Sequence, residues 1–461
     1  MKQNIFLSEN DSKKIAIIGL GKVGQTVLRF LLKYNIKIIG YDDNINKIPC
    51  YYLSFLTSNR NFILIRNKRE IKNYFQDIAF AIVSPGIKET NYVVRDLKKN
   101  NIPIVEELDF VNHFIKSPII AITGTNGKST TTVLLGKMLT TARNKCFWGG
   151  NLSPGLSFSH SLLHEPKQYY VIEVSSFQLE RCEYFTPHIG ILLNISYDHL
   201  DRHKTLAEYR DVKFKIFKNQ TGNDFAIVNY DDNLIRDKVN KIRSNIYYFS
   251  TTKPVKGTFL KNNAIYFNDE KICNIDSITL KGKQFIVSVL AAICAAKIIG
   301  IENSAIIETL STFTGLKHRL EFVTKFKNVI YINNSMCTNP AAGAETLNAF
   351  AQPVILIAGG KEKKLPLEIY INAIHKKTKH TILFGENRFK LYKTLKNSKY
   401  KNVHLASSLK NAIKKAMRLA SPYDIVLFSP GFASFDMFSN FEERGECFKK
   451  LVFELTQHYH E

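Results

Sequence analysis

The sequence predicts an α/β protein of three domains built on mainly parallel sheets, and three stretches carry that expectation. Near the start, Ile15-Ala-Ile-Ile-Gly-Leu-Gly-Lys-Val-Gly24 is an apolar strand and glycine turn, followed by a helical stretch to Tyr34 and a strand from Ile36 to Asp42. In the middle, Pro118-Ile-Ile-Ala-Ile-Thr-Gly-Thr-Asn-Gly-Lys-Ser-Thr-Thr-Thr132 runs from strand through glycine loop into helix. Further on, Val354-Ile-Leu-Ile-Ala-Gly-Gly-Lys-Glu-Lys363 is again a strand and a glycine loop. Short apolar runs alternating with helical stretches make parallel sheets with both faces covered.

Composition narrows the classes of function. A chain of 461 residues is long for a single core, and domains run to roughly 100–200 residues each. The formal net charge is +24. The lysines are spread along the chain without a block or an aromatic-interleaved patch, so a general Lys-rich bias explains the charge better than nucleic-acid binding does. Seven cysteines, at 50, 146, 182, 273, 294, 337 and 447, form no Cys-x-x-Cys pair. That argues for a reducing, cytoplasmic setting and against a disulfide framework or a zinc site. The first fourteen residues are polar and mixed in charge, so no secretory signal is expected. The apolar run from Phe285 to Ile301 contains Lys297 and reads as a buried helix, not a membrane span.

Taken in order, the first domain carries strand, Gly-x-Gly-x-x-Gly, helix, strand and a terminal acid, Asp42. This is the Rossmann fingerprint, which by itself points to a dinucleotide such as NAD. Ala79-Phe-Ala-Ile-Val-Ser-Pro-Gly86 adds a strand with a turn at its carboxyl end, where such sheets hold ligands. Ser84 and Gly86 fit either a ligand contact or turn geometry alone. A helix from Val93 to Lys99 and a strand from Ile102 complete the domain.

The middle domain opens with a phosphate cradle. Gly124 and Gly127 let backbone N–H groups close on phosphate oxygens at a helix N-terminus. Lys128 adds a full charge and Ser129 a hydroxyl suited to Mg²⁺. The spacing departs from the general P-loop, since Ile122 stands where that loop has its first glycine. In Tyr169-Tyr-Val-Ile-Glu-Val-Ser-Ser-Phe-Gln-Leu-Glu180, Glu173 lies in a buried apolar run, where a carboxylate is costly unless paired or metal-bound. Ile189-Gly-Ile-Leu-Leu-Asn-Ile-Ser-Tyr-Asp-His-Leu-Asp-Arg-His203 puts Asp198 and His199 at a strand's carboxyl end. Tyr209 to Phe217 has helical spacing, with Tyr209, Val212 and Ile216 on one face. The segment from Arg243 to Ile275 reads as short β-hairpins.

Thr-Gly-Thr-Asn-Gly-Lys-Ser-Thr resembles the loop of the Mur ligases and folylpolyglutamate synthases, which join an amino acid to a carboxylate at the expense of ATP. Gly-Gly-Asn151, Ser-Ser-Phe-Gln-Leu-Glu180, Asn-Ile-x-x-Asp-His-x-Asp201, Tyr-Arg-x-x-Lys213, His-Arg-x-Glu321 and Ser-Pro-Gly-Phe-Ala-Ser-Phe-Asp-Met-Phe-Ser-Asn-Phe-Glu-Glu-Arg-Gly445 extend the likeness through the chain in the family's order. It is strongest to the members that add D-glutamate.

The resemblance implies a Rossmann-like UDP-binding domain at 1–109, a central P-loop ATPase-like domain at 110–315 and a Rossmann-like amino-acid-binding domain at 316–461. It implies ATP contacts at Gly124, Thr125, Asn126, Gly127, Lys128, Ser129, Thr130, Arg319 and Asn334. Two Mg²⁺ sites follow, one on Ser129 and Glu173, the other on His199 and a carbamylated Lys213. Gly21, Lys22, Val23, Asp42, Ser84, Gly86 and Asn151 would face UDP-N-acetylmuramoyl-L-alanine. Thr338, Lys363, Ser434 and Phe441 would border D-glutamate. Lys128, His199 and Lys213 are the catalytic candidates. A monomer acting on small molecules is expected, with no nucleic-acid partner and no membrane insertion.

The chain departs from the family's pattern in three places, one of them Glu362, which stands where the family has a glycine before Lys363. Gln284, Phe285 and Ser288 replace His, Asn and Asn in the region that meets adenine, and Asn334 and Met336 replace an acid and a lysine. A ligase with altered amino-acid or nucleotide preference is therefore an alternative. An NAD-dependent oxidoreductase and a basic nucleic-acid-binding ATPase are more distant ones.

Overall fold

The computed structural model describes residues 13–457 except 46–47, 49–53, 55, 68–69, 153–154, 197–201, 281–282 and 363–365, with the side chains of 283 and 284 also left out. Asp198, His199 and Lys363, together with the side chain of Gln284, therefore lie outside the described residues. The described residues form three sheets in two compact units, 1–313 and 314–461.

The first unit begins with β1 (Lys14–Ile18), α1 (Lys22–Leu32), β2 (Ile38–Tyr41), β3 (Phe62–Ile65), β4 (Ile78–Val83), α2 (Tyr92–Lys99), β5 (Ile104–Val105) and α3 (Glu107–Phe114). Its sheet is parallel, in the order β3-β2-β1-β4-β5. The apolar faces of β1 and α1 share one core, in which Ile15, Ile17, Val27, Leu28 and Leu31 are buried together. Gly24 is needed for that packing, because a Cβ there would stand 2.0 Å from the Gly19 carbonyl oxygen. The strand expected from Ile102 is only two residues long.

The unit continues with β6 (Ile119–Thr123), α4 (Lys128–Thr141), β7 (Cys146–Gly150), β8 (Tyr169–Glu173), α5 (Ser176–Glu180), β9 (Ile189–Leu192), α6 (Leu206–Phe214), β10 (Phe225–Asn229), α7 (Asn233–Arg236), β11 (Asn245–Ser250), β12 (Gly257–Lys261), β13 (Ala264–Phe267), β14 (Glu270–Asn274), α8 (Lys283–Ile298) and α9 (Asn303–Thr312). The nine strands run β14-β13-β12-β11-β10-β9-β6-β8-β7. Every residue of β6 is buried, as a central parallel strand requires. Burying each of its isoleucines contributes about 1.5–3 kcal/mol.

Two local expectations change. Only β12, β13 and β14 form the antiparallel ribbon expected of the 243–275 segment, while β11 pairs parallel with β10 and extends the main sheet. The chain reaches β11 through α7 and a 3₁₀ turn at Val239–Lys241, a crossover that returns it parallel. The helix at Tyr209 ends at Phe214 and tightens into a 3₁₀ turn at Lys215–Phe217. This turn keeps Ile216 and Phe217 buried.

The second unit comprises β15 (Glu321–Phe326), β16 (Val329–Asn333), α10 (Pro340–Asn348), β17 (Val354–Ala358), α11 (Glu368–Lys377), β18 (Thr378–Leu383), α12 (Arg388–Asn397), β19 (Val403–Leu405), α13 (Leu409–Leu419), β20 (Ile425–Phe428) and α14 (Phe441–Gln457). Strand order is β15-β16-β20-β17-β18-β19, with only the edge strand β15 antiparallel.

Candidate active site

The strand order of the second sheet reverses about β6, with β8 on one side and β9 on the other. A parallel sheet opens a crevice at such a point, outside the carboxyl ends of its strands. The loop after β6 lies there. Gly124 and Gly127 hold φ angles of +153° and +86°, which a side chain would strain. Asn194, just past β9, fastens the loop: its carbonyl accepts from Thr125 N at 2.9 Å, its Oδ1 from Asn126 N at 2.8 Å, and its Nδ2 donates to Asn126 O at 3.1 Å. Ser196 N donates to Thr125 Oγ1 at 3.0 Å.

Two amines meet on this loop. Lys128 opens α4, and its Nζ donates to the carbonyls of Gly124 at 2.9 Å and Thr125 at 2.7 Å. Lys213, 1% exposed, reaches in from α6 and donates to the same Gly124 carbonyl at 2.8 Å. The Tyr209 ring, 4.5 Å from that Nζ, adds a cation–π contact.

Ser129 and Glu173 are brought together as the sequence implied. Ser129 Oγ donates to Glu173 Oε2 at 2.6 Å, and Asn151 Nδ2 donates to Glu173 Oε1 at 3.2 Å. Both partners of this carboxylate are neutral, and all three groups sit beside the helix N-terminus. Hydroxyl and carboxylate oxygens are donors that Mg²⁺ takes readily, so the pair fits that ion. Among the described residues no group of three or more His, Cys, Asp or Glu could hold a metal. The pair therefore suits an ion that keeps water and phosphate among its ligands. His203, beyond the undescribed His199, shares a 3.1 Å contact between its Nε2 and Ser176 Oγ.

Ser288, expected near the base, is buried beneath the phosphate loop, and its hydroxyl donates to Gly127 O at 3.3 Å. Phe285 is partly exposed on the same helix.

A second crevice opens in the first sheet, between β1 and β4. Asp42 closes its glycine turn by accepting from Leu20 N at 2.7 Å and Asn44 N at 2.7 Å. Ser84 Oγ donates to Gly19 O at 3.0 Å across the crevice. A Cβ on Gly21 or Gly86 would meet nothing within 4 Å, so these positions leave open space beside the turns. Lys22 Nζ donates to the Gly155 carbonyl, and Val23 is half-buried on α1. Below them Glu107 is fully buried, accepting from Ser159 N at 2.9 Å, Ser159 Oγ at 2.7 Å and Gln178 Nε2 at 3.4 Å. Burial pushes its carboxyl above the usual range.

In the second unit, Arg444 gathers the loops at the carboxyl ends of β16 and β20. It is buried, and its guanidinium donates to Ser335 Oγ at 3.1 Å, Phe432 O at 2.9 Å and Ser335 O at 2.8 Å. Burial lowers its pKa to about 10. Ser335 Oγ in turn donates to Phe441 O at 2.8 Å. Thr338 and Ser434 belong to these loops and Phe441 opens α14, with Ser434 buried and the other two half-buried. Arg319 sits inside a tight link, between His318 and Leu320 with φ of +62° and +47°. The Asn334 amide is engaged within the unit, donating to Thr346 Oγ1 at 3.0 Å and Ser429 Oγ at 3.1 Å and accepting from Leu320 N at 3.2 Å.

Sequence reasoning passed over Asn194 and Arg444. Asn194 lay inside a quoted strand motif, and its place after a buried strand was the available signal. Arg444 carried no signal of burial, since two of its three bonds go to main-chain carbonyls, those of Ser335 and Phe432, which no residue type announces.

A glycine loop at a helix N-terminus, beside a buried hydroxyl–carboxylate pair at a sheet's switch point, defines a phosphate-binding α/β enzyme class. Three family models match along the chain: Mur ligase MurD-like, N-terminal domain, over residues 13–106; Mur ligase middle domain, over 122–296; and Mur ligase, glutamate ligase domain, over 318–432. The chain belongs to the Mur ligase family. It is 36% identical to the UDP-N-acetylmuramoylalanine--D-glutamate ligase of Pelotomaculum thermopropionicum, covering 98% of this chain and 100% of that one. It is also 36% identical to the ligase of the same name from Thermoanaerobacter pseudethanolicus, covering 97% and 100%. The fold matches the crystal structure of UDP-N-acetylmuramate-alanine ligase from Thermotoga maritima, with a TM-score of 0.56 and 18% identity over 96% of this chain and 99% of that one.

Proposed function

We infer that this chain is an ATP-dependent ligase that adds D-glutamate to UDP-N-acetylmuramoyl-L-alanine, in the cytoplasmic synthesis of peptidoglycan precursors. The observation that carries the reading is the Ser129–Glu173 pair at 2.6 Å beside the Lys128 loop. Relatives covering nearly the whole chain and named for this reaction support the choice of substrates.

In the chemistry proposed, a carboxylate oxygen of the muramoyl-alanine attacks the γ-phosphorus of ATP, giving an acyl phosphate and ADP. The D-glutamate amine then attacks the acyl carbon, the C–O bond to phosphate breaks, and phosphate and a proton leave. Lys128 and the amides of Gly124, Gly127, Ser129 and Thr130 would bind and orient the ATP phosphates, with Thr125 and Asn126, whose amides donate to Asn194, assigned to the same ATP site as the braced part of the loop. Ser129 and Glu173 would hold one Mg²⁺, which when bound neutralises phosphate charge. His199 and Lys213 are assigned to a second, with Lys213 carbamylated by CO₂. That assignment is supported by the burial of Lys213 against the loop, where a carbamate would replace an amine with an anion.

Gly21, Lys22, Val23, Asp42, Ser84, Gly86 and Asn151 are assigned to the sugar nucleotide. Arg319 and Asn334 are assigned to ATP, and Thr338, Lys363, Ser434 and Phe441 to D-glutamate. We take the enzyme to act as a monomer. A second reading, altered nucleotide or amino-acid preference, is favoured by the internal engagement of the Asn334 amide and by Met336.

The test is phosphate release with ATP or GTP, Mg²⁺ and UDP-N-acetylmuramoyl-L-alanine against a panel of D- and L-amino acids. Release that requires ATP and D-glutamate supports the first reading. Release with another amino acid or with GTP replaces it with the second, and no release with any combination overturns both.

A further inference from the structure

The turn after β4 is gripped by two arginines from the far side of the first unit. Arg181, immediately after α5, donates through Nη2 to Ser84 O at 3.1 Å and through Nη1 to Ile87 O at 3.1 Å. Its Nε donates to Glu106 Oε1 at 2.7 Å, and Glu89 Oε1 lies 3.6 Å from Nη1. Arg202 donates through Nη1 to Pro85 O at 3.1 Å and through Nε to Glu180 Oε2 at 2.7 Å. Three carbonyls of a four-residue turn are thus held by two planar guanidinium groups, each fixed by an acidic side chain, Glu106 for Arg181 and Glu180 for Arg202. A guanidinium offers five donors in a rigid fork, so it locks several acceptors at once where an ammonium would not.

The geometry has a consequence for the turn's other face. In a trans peptide the C=O and N–H point in opposite directions. Holding Pro85 O on Arg202 aims the Gly86 N–H away from the arginines, and holding Ile87 O on Arg181 does the same for the Lys88 N–H. Two amide donors are presented together on the face opposite the clamp. The same α5 begins three residues after Glu173, so a five-residue helix joins the clamp to the carboxylate of the phosphate site.

We propose that Arg181, assisted by Arg202, is a positioning residue for the sugar-nucleotide substrate, holding the Ser84–Ile87 turn so that the Gly86 and Lys88 amides receive the UDP moiety. The proposal rests on the assignment of this turn to the sugar nucleotide. Arg181 acts through the main chain and does not itself touch the substrate.

The experiment measures uridine diphosphate binding by calorimetry, together with KM and kcat, for the full-length wild type, Arg181→Met, Arg181→Lys and Arg202→Met. Arg181→Met is expected to weaken uridine diphosphate binding and raise KM for the sugar nucleotide about 10-fold or more. KM for ATP and kcat should stay within about 2-fold. Arg181→Lys should recover part of the loss, and Arg202→Met should show a smaller shift in the same direction. Unchanged uridine diphosphate affinity in Arg181→Met overturns the proposal, as does an equal loss of ATP and uridine diphosphate binding, which marks general unfolding. Calorimetry separates the two readings: a wild type that binds uridine diphosphate through Arg181 yet ligates no D-glutamate leaves the clamp standing and removes the proposed reaction.

Discussion

Lys128 and Lys213 donate to one and the same acceptor, the carbonyl oxygen of Gly124, at 2.9 and 2.8 Å. Two cations converging on a single oxygen repel one another in a region of low dielectric. Converting the buried amine of Lys213 to a carbamate turns that repulsion into attraction. With ¹³C-labelled bicarbonate, the wild type is expected to show a carbamate carbon resonance that Lys213→Ala lacks, and Lys213→Ala should lose nearly all ligase activity. A fully active variant, or an unaltered spectrum, refutes the assignment.

Lys128→Ala removes the charged group from the loop but leaves the Asn194 brackets on Thr125 and Asn126 in place. The fold should be retained while ATP-dependent phosphate release falls by about 10²–10³, the scale of losing a preorganised donor. Circular dichroism and phosphate release, measured on one preparation, decide the point.

Glu173→Gln keeps the shape of the side chain but removes its charge. A metal ligand altered in this way should demand about 10–100-fold more Mg²⁺ for half-maximal activity, with a smaller effect on KM for D-glutamate. A Mg²⁺ titration that superimposes on the wild type removes Glu173 from the metal site.

Glu106 is buried beside Arg181, and desolvation raises its carboxyl from 4.5 to about 8 against the opposing pull of that arginine. Between those two values the native state binds more protons than the unfolded chain, so its contribution to stability falls as pH rises. Glu106→Gln abolishes the titration. Urea unfolding of wild type and variant from pH 5 to pH 9 should therefore show the wild type losing about 2–4 kcal/mol relative to Glu106→Gln as pH rises. Parallel stability curves contradict the shift.

What the sequence made legible were the groups whose chemistry is local. The glycine loop, Lys128 and Ser129 announce themselves by spacing, and Glu173 by sitting in an apolar strand. Parallel sheets followed from unbroken runs such as Ile119–Thr123, buried on both sides. The arginines were illegible for the opposite reason. Arg181 and Ser84 are separated by 97 residues, and their contact depends on main-chain carbonyls, which no residue type signals. The β11 strand was misread because Asn245–Ser250 has the same alternation whether its neighbour runs parallel or antiparallel; the crossover that decides between them is a tertiary fact. The sequence puts Ser288 where an amide near the base is expected, but its place under Gly127 depends on how α8 packs against α4.

The cage of carbonyls around Arg444 has a consequence for the order of synthesis. Residues 335, 432 and 441 all precede Arg444; the loops after β16 and β20 already share bonds from Gly431 N to Cys337 O at 3.0 Å and from Asn334 Nδ2 to Ser429 Oγ at 3.1 Å, while the links to Phe432 O and Phe441 O come only with α14. During translation, β16, α10, β17, α11, β18, α12, β19, α13 and β20 all leave the ribosome first. The sheet of the second unit can assemble on its apolar faces and tie these loops in part, but the bonds that Arg444 makes to Ser335 and Phe432 are added last. A nascent chain stalled before α14 should carry a formed sheet and an incompletely fastened acceptor site, which makes competence for the final bond among the last properties this unit acquires.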